Sequence, residues 1–191
     1  MRIANPTTAA QYFHLLRRQA ALLKTDPLPL VVLTPKSLLR HPKASSSLRE
    51  LSEGHWQPVI DDVQAQPRSE QVRRLILCSG KVYVDLVTSQ RRDADPAIAI
   101  ARVEQLYLFP DAELQAVLNG YPKLKEVAWV QEEPENMGAW PFFRPRLMQL
   151  MGERWPLQYV GRPSNSSPAE GSSARFAANQ RALIEQAYDL T

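Results

Sequence analysis

The fold is decided by the stretch Trp129–Trp140, whose sequence is WVQEEPENMGAW. It continues an apolar run that begins at Val127, and it contains two carboxylates, a proline, a glycine and a second tryptophan. This order is typical of a buried strand that ends in a polar loop and leads into a helix. The stretches Leu75–Lys81 and Ile98–Leu106 have the same layout. In a parallel sheet such strand ends share one edge, which is where α/β folds place their sites.

Strands and helices alternate along the chain around this stretch. We predict strands over about 73–78, 97–103, 126–131 and 157–160. Helices are predicted after them, over about 81–91, 111–119, 137–151 and 173–189. Such alternation predicts an α/β fold in which a mostly parallel sheet carries helices on both faces.

The first 48 residues have a different organisation. Thr8 and Gln11 fit a capping box that starts a helix, and Leu30–Leu33 fits a short buried strand. We expect no strand before that helix, which is typical of the tail of a domain rather than of its beginning. The loop from Thr34 to Ser47 is basic and lacks apolar periodicity, so we place a domain boundary near residue 48. The helix and strand before it are expected to expose apolar surface and to favour self-association.

Composition excludes several classes of protein. The 191 residues carry a net charge of only +3, which does not indicate a nucleic-acid partner. The apolar runs are too short to span a bilayer, and the single cysteine, Cys78, excludes an internal disulfide. These features favour a reducing compartment, either the bacterial cytoplasm or the mitochondrial matrix. Cys78 itself lies in an apolar run and is expected to be a small buried side chain rather than a nucleophile.

The common catalytic and metal-binding motifs are missing from the sequence. There is no G-x-G-x-x-G, no complete phosphate loop and no G-x-S-x-G, and the three histidines lack the spacing of metal ligands. Glu132 and Glu133 are candidates for an acid/base pair. Glu104 is a candidate for a single catalytic carboxylate. Adjacent residues of an extended chain point in opposite directions, however, so only one of the first two can face a given site. The competing interpretation is that these carboxylates form local pairs or lie in solvent.

Taken together, the loop motifs resemble those of one family, 2-oxoglutarate dehydrogenase, in its thiamin-diphosphate-dependent decarboxylating component. The resemblance runs from about residue 3 to the C-terminus, with Leu108 where proline is usual and Met137 where glutamine is common. The motifs are YFHLLRRQ at 12–19, TPKSLLRHP at 34–42, SGKVY at 79–83, RVEQLY at 102–107, QEEP at 131–134, NMGAW at 136–140 and GRP at 161–163.

The resemblance implies a transketolase-like build. Residues 1–48 would be the C-terminal tail of the pyrimidine-binding domain, and residues 49–191 the Rossmann-like C-terminal domain. The family's enzyme is a homodimer that decarboxylates 2-oxoglutarate and passes the succinyl group to the lipoyl group of the complex's acyltransferase. Its thiamin diphosphate and Mg²⁺ would be bound by parts upstream of this chain. The resemblance therefore carries no catalytic residue and no metal ligand onto these 191 residues, and we expect them to be inactive alone.

Two sets of residues acquire expected roles from the resemblance. One set would pack against the neighbouring domain and support the dimer: Glu104, Glu132, Glu133, Asn136 and Trp140. The other would bind the phosphates of acetyl-CoA, an effector of some family members, because converging guanidinium and ammonium groups recognise phosphates. That second set is Arg17, Arg18, Lys36 and Arg40, and its competing interpretation is a solvated basic face.

Two other functions stay open on the sequence alone. The first is a separate regulatory or assembly module that uses the transketolase C-terminal fold without catalysis. The second is the C-terminal domain of a related thiamin-diphosphate enzyme, such as a branched-chain or pyruvate dehydrogenase. The motifs around Gly80 and Pro134 favour the 2-oxoglutarate enzyme over the related thiamin-diphosphate enzymes. A separate gene that supplies the other two domains would favour the module.

Overall fold

The computed structural model describes residues 1–189. These residues form two sheets and six helices. In chain order the elements are β1 (Arg2–Ala4), α1 (Ala9–Leu22), β2 (Leu30–Val32), α2 (Leu48–Glu53), β3 (Val59–Ile60), β4 (Arg74–Cys78), α3 (Lys81–Thr88), β5 (Ile98–Val103), β6 (Gln105–Tyr107), α4 (Asp111–Asn119), β7 (Glu126–Pro134), α5 (Trp140–Met151), β8 (Leu157–Arg162) and α6 (Ser173–Ala187).

The larger sheet has the strand order β3-β5-β4-β7-β8. All its pairings are parallel except that of β3, which runs antiparallel to β5 at one edge. At its centre, Leu77 of β4 lies between Ala101 of β5 and Trp129 of β7. The sequence-based prediction of an α/β fold with a mostly parallel sheet is therefore confirmed.

Helices cover both faces of the larger sheet because successive strand residues point to opposite sides. Leu75, Leu77 and Trp129 pack with Leu114 of α4 and Phe143 of α5 on one face. On the other face, the intervening strand residues pack against α3 and α6, with Ile76, Cys78, Val130, Leu86 and Leu183 in one cluster. The four parallel strands and their helices were predicted, and only the ends differ: α3 stops at Thr88, β7 extends to Pro134, and α5 starts at Trp140.

The smaller sheet corrects the expectation for the N-terminal segment. A strand does precede the first helix: β1 pairs in parallel with β2 and antiparallel with β6. β2 was predicted from its apolar run, but its side chains are partly exposed rather than buried. β1 and β6 also have three residues each, lack such a run, and are too short to show a two-residue period. The edge strand β3 has only two residues and was missed for the same reason. The exposed side chains Tyr12, Phe13, Leu16, Leu23, Val31 and Leu33 give residues 1–33 the exposed apolar surface that was expected.

The start of α1 follows half of the predicted capping box. The Thr8 hydroxyl accepts a hydrogen bond from the Gln11 amide at 3.3 Å. The Gln11 side chain does not reach back to Thr8; its Oε1 accepts from the Gln57 amide at 3.1 Å instead. Gln11 therefore fastens α1 to the segment before β3.

Replacing Thr8 with Ala is expected to lower the free energy of unfolding by about 1 kcal/mol, because the first turn of α1 loses its side-chain acceptor. Urea denaturation measures the change. Thr25→Ala is the control, since no hydrogen bond of the Thr25 hydroxyl occurs within residues 1–189. Equal losses in the two variants would contradict a capping role for Thr8.

Candidate functional site

The two sheets meet at Glu104, the single residue between β5 and β6. Its side chain is fully buried. The Thr7 amide donates to Glu104 Oε2 at 2.9 Å, and the Thr7 hydroxyl donates to Oε1 at 2.6 Å. The Asn5 amide also donates to the Glu104 carbonyl at 2.8 Å. Glu104 therefore holds the N-terminal segment through both its backbone and its side chain.

The charge of Glu104 is poorly compensated. Burial raises the pKa of this carboxyl to about 7, although Arg102 and the two Thr7 donors each lower it in part. Arg102 Nε lies 3.5 Å from Glu104 Oε1. A carboxyl with this pKa changes its protonation state near neutral pH, so we expect the junction between the sheets to respond to pH in that range.

A second polar contact joins α1 to β6. Arg18 Nη1 donates to Gln105 Oε1 at 2.8 Å, and Gln105 Nε2 in turn donates to the Leu108 carbonyl at 2.9 Å. Burial lowers the pKa of the Arg18 guanidinium below its ordinary value. Arg18 is thus anchored at the junction of the sheets, with part of its side chain exposed.

The other three candidate effector residues lie in different surroundings. Arg17 stacks over the Phe13 ring at 5.6 Å and contacts His14 Nδ1 at 3.2 Å. Lys36 and Arg40 are exposed in the loop after β2, and neither side chain makes an ion pair or hydrogen bond with the described residues. Of the four candidate effector residues, therefore, only Arg18 forms a hydrogen bond with a side chain from residues 49–189.

The two adjacent glutamates lie near the end of β7, just before the loop that leads to α5, and point to opposite sides of the strand. Glu132 is half-buried and accepts from Lys81 at 3.4 Å and from Gln180 at 3.1 Å. Burial raises its pKa, and the Lys81 ammonium opposes that shift. Glu133 is exposed. The two carboxylates do not share a site, and Glu132 is held by a local pair.

The remaining two candidate interface residues fix the shape of this loop. Asn136 Nδ2 donates to the Asn165 carbonyl at 3.0 Å, and the Asn165 amide donates back to Asn136 Oδ1 at 3.0 Å. Trp140 is buried beside Tyr159, with ring centroids 5.3 Å apart. Both residues support the position of the loop relative to β8.

Gln131 organises the loop, and the sequence analysis did not select it. Its Oε1 accepts from Trp129 Nε1 at 2.9 Å and from the Trp140 amide at 3.0 Å. Its Nε2 donates to the Met137 carbonyl at 2.8 Å. A side chain built at Gly138, whose φ is +66°, would place its Cβ 3.0 Å from that Nε2. The signal was present in the sequence, since Gln131 lies two residues after Trp129 and so faces the same buried side.

A cavity of about 370 Å³ opens beside this junction at the carboxyl edge of the larger sheet. The N-terminal segment contributes Ile3, Asn5 and Leu33 to its wall, and the rest comes from β6, β7, α5 and the loops before α3 and α5. Asn5 Oδ1 and Ser79 Oγ are buried there without a hydrogen-bond partner in the described part of the chain. The two sheets are thus joined by hydrogen bonds at Glu104, while a cavity separates them beside Asn5.

Histidine and cysteine side chains often serve at catalytic or metal sites; here His14 and Cys78 are both buried. His14 is a buried packing residue whose Nε2 lies 2.8 Å from the Glu50 carbonyl. Cys78 is fully buried, and burial raises the pKa of its thiol far above the ordinary value. No three His, Cys, Asp or Glu side chains among residues 1–189 are placed to hold a metal ion together. None of the helices in the same range has the length and apolarity that a membrane span requires.

Comparisons with known proteins place the chain in one family. A family model described as 2-oxoglutarate dehydrogenase C-terminal matches residues 45–188. The chain is 43% identical over 193 residues to the 2-oxoglutarate dehydrogenase E1 component of a Bacillus cereus strain, and 44% identical to that of Bacillus anthracis. The matches cover 98% of this chain and 20% of each relative, so the chain spans about a fifth of their length. This chain belongs to the 2-oxoglutarate dehydrogenase C-terminal family.

Proposed function

We propose that this chain is the C-terminal portion of a 2-oxoglutarate dehydrogenase decarboxylating component. The parent enzyme would oxidatively decarboxylate 2-oxoglutarate with thiamin diphosphate and transfer the succinyl group to the lipoyl group of its acyltransferase. It would act as a homodimer, in the bacterial cytoplasm or the mitochondrial matrix. The family match over residues 45–188 and the identity to bacterial relatives along nearly the whole chain support this proposal.

Within that enzyme, the proposed role of this portion is to hold two domains together. Residues 1–48 would complete the pyrimidine-binding domain, and residues 49–191 would form the C-terminal domain. The observation that carries the proposal is the contact at Glu104, where the second segment accepts three hydrogen bonds from Asn5 and Thr7 of the first. The pairing of β1 with β6 supports it, because strands from both segments then share one sheet.

The cofactor would be held elsewhere in the parent enzyme. A diphosphate bound through Mg²⁺ needs a cluster of oxygen ligands. No such cluster of three or more carboxylate, imidazole or thiol groups occurs in the part of the chain that the structure describes. The described residues therefore do not fit the Mg²⁺-bound diphosphate of the cofactor.

A decarboxylation assay tests the assignment. The 191-residue chain is supplied with 2-oxoglutarate, thiamin diphosphate, Mg²⁺ and an artificial electron acceptor, and no turnover above a cofactor-free control is expected. The full-length parent enzyme, assayed in parallel, is expected to turn over. Turnover by the isolated chain would overturn the assignment of cofactor binding to the rest of the enzyme, and an inactive full-length enzyme would overturn the proposed reaction.

The effector role of the basic residues is a further part of the proposal. In the full-length enzyme, replacing both Arg18 and Arg40 with Ala is expected to reduce the response to acetyl-CoA at least fivefold. Arg18 is the stronger candidate because Gln105 orients its guanidinium at the junction. Arg49→Ala is a matched control, since Arg49 is an exposed arginine paired only with Glu53. An unchanged acetyl-CoA response in the double variant would contradict an effector site in this segment.

A further inference from the structure

A second cavity has a volume of about 310 Å³. It is enclosed by the loop after β3, by α3, by the 3₁₀ turn Gln90–Asp93 and by β5, with Lys43 at its rim. Its volume falls at the lower end of the range of small-molecule sites, about 300–1,000 Å³. It contains none of the four candidate effector residues and shares no lining residue with the cavity beside Asn5. Its polar lining includes Asp61, Asp62, Gln64, Tyr83, Arg92 and Arg102.

The guanidinium of Arg92 is only partly satisfied. Arg92 is 6% exposed. Its Nη2 donates to both carboxylate oxygens of Asp62, at 2.6 and 2.7 Å, and contacts Gln64 Oε1 at 3.1 Å. Its Nη1 is buried and has no hydrogen-bond partner in residues 1–189. Leaving such a charged donor buried and unpaired is costly, so the arrangement indicates an acceptor that comes from outside these residues.

Arg102 adds a second guanidinium with free donors to the same cavity. It stacks over the Tyr83 ring at 4.4 Å from the ring centroid, which fixes its plane. Its Nε forms an ion pair with Glu104 Oε1 at 3.5 Å but makes no hydrogen bond. Its two terminal nitrogens, Nη1 and Nη2, have no hydrogen-bond partner in the described part of the chain. Planar guanidinium groups bind carboxylate and phosphate oxygens through paired N–H donors, and two of them at one cavity define an oxyanion site.

The carboxylates of the cavity do not use up these donors. Asp61 accepts from the Tyr121 hydroxyl at 2.6 Å. Asp62 accepts from Arg92 Nη2 and from the Ile100 amide, the latter at 2.8 Å. Asp61 forms no ion pair within residues 1–189, and Asp93 and Lys43 are both exposed. The buried polar atoms of the cavity that lack a hydrogen bond are therefore both guanidinium donors, Arg92 Nη1 and Arg102 Nε.

We propose that this cavity binds a compact oxyanion, either a phosphate group or a carboxylate, between Arg92 and Arg102. Lys43 at the rim would add attraction, and the Gln64 side chain would hold Arg92 in place. This proposal does not depend on the identity of the parent enzyme, because it rests on the cavity and on the guanidinium donors of residues 92 and 102 that lack hydrogen bonds.

Calorimetric titration of the 191-residue chain tests the proposal, with ionic strength held constant by sodium chloride. Inorganic phosphate and phenyl phosphate form one arm, and succinate forms the other, so that the preferred arm identifies the anion. Saturable binding of one arm is expected. Arg102→Met is expected to raise Kd at least tenfold. Lys43→Met, at an exposed position, is expected to raise Kd about threefold. Arg49→Met removes the same charge from a distant exposed position, and its Kd is expected to equal that of the wild type.

Two outcomes would overturn the proposal. One is the absence of saturable binding by the wild-type chain in both arms. The other is an equal change of Kd in Lys43→Met and Arg49→Met, which would show that the anion responds to net charge rather than to this cavity. Two-dimensional NMR locates the site independently: the Ile100 amide and the Tyr83 ring are expected to shift on binding, and shifts confined to other residues would contradict the assignment.

Discussion

Replacing Glu104 with Gln is expected to stabilise the chain at pH 8 by about 2–3 kcal/mol more than it does at pH 5, since one pKa unit corresponds to about 1.4 kcal/mol. Glu104 is fully buried, and its folded-state pKa is about 7 against the ordinary value of 4.5. The fold therefore favours the protonated carboxyl. The stability that this group contributes is complete below the unfolded pKa and is lost as the pH rises through the folded pKa.

The glutamine side chain has the shape of the protonated carboxyl and no charge. Its oxygen can accept from the Thr7 amide, and its NH₂ group can donate to the Thr7 hydroxyl, which reverses one of the two native bonds. We therefore expect the variant to be close to wild type at pH 5 and more stable than wild type at pH 8. Its loss of the ion pair with Arg102 is already included, because that pair contributes to the folded pKa.

Urea denaturation of the two proteins at pH 5, 6.5 and 8 measures this difference. Glu153→Gln is the matched control, since Glu153 is exposed and the difference from wild type is expected not to vary over this range. If the stability difference between Glu104→Gln and wild type is constant with pH, the carboxyl is ionised throughout and the junction has no response to neutral pH.

The parallel strands of the larger sheet were predictable because their signals are local. The run Leu75–Cys78 is apolar throughout, as strands buried on both faces are, and turn residues follow it. The run Ile98–Ala101 and the stretch after Val127 share this pattern. Their order along the chain, with helical segments between them, then leaves few alternatives to a parallel sheet.

The junction was less predictable because its contacts are distant in sequence. Glu104 was selected as a candidate, yet its partner Thr7 lies 97 positions away and nothing local indicates the pairing. Strands β1 and β6 are too short to carry a period, so their pairing depends on the packing of the whole chain. The cavity of Arg92 and Arg102 was missed for a related reason: a count of charges does not show which donors lack an acceptor after folding.

Replacing Gln131 with Leu is expected to lower the free energy of unfolding by about 3–5 kcal/mol, because each buried group that loses its partner costs about 1–3 kcal/mol. Gln131 is 2% exposed, and its Oε1 is the acceptor for both Trp129 Nε1 and the Trp140 amide. Leucine leaves those two donors unpaired. It also removes the donor to the Met137 carbonyl, so the start of α5 is expected to lose its fixed position.

Gln131→Glu tests the accepting and donating atoms of the Gln131 side chain separately. The carboxylate keeps an acceptor for Trp129 and Trp140, but its second oxygen faces the Met137 carbonyl and needs a proton to bond there. The variant is therefore expected to be more stable than Gln131→Leu and to lose stability as the pH rises from 5 to 8. Urea denaturation measures the stabilities, and hydrogen exchange of the Trp140 amide reports the loop directly. Gln71→Leu, at an exposed position, is the control and is expected to leave both unchanged. Slow exchange of the Trp140 amide in Gln131→Leu, at the wild-type rate, would show that the loop is held by its other contacts and that Gln131 does not organise it.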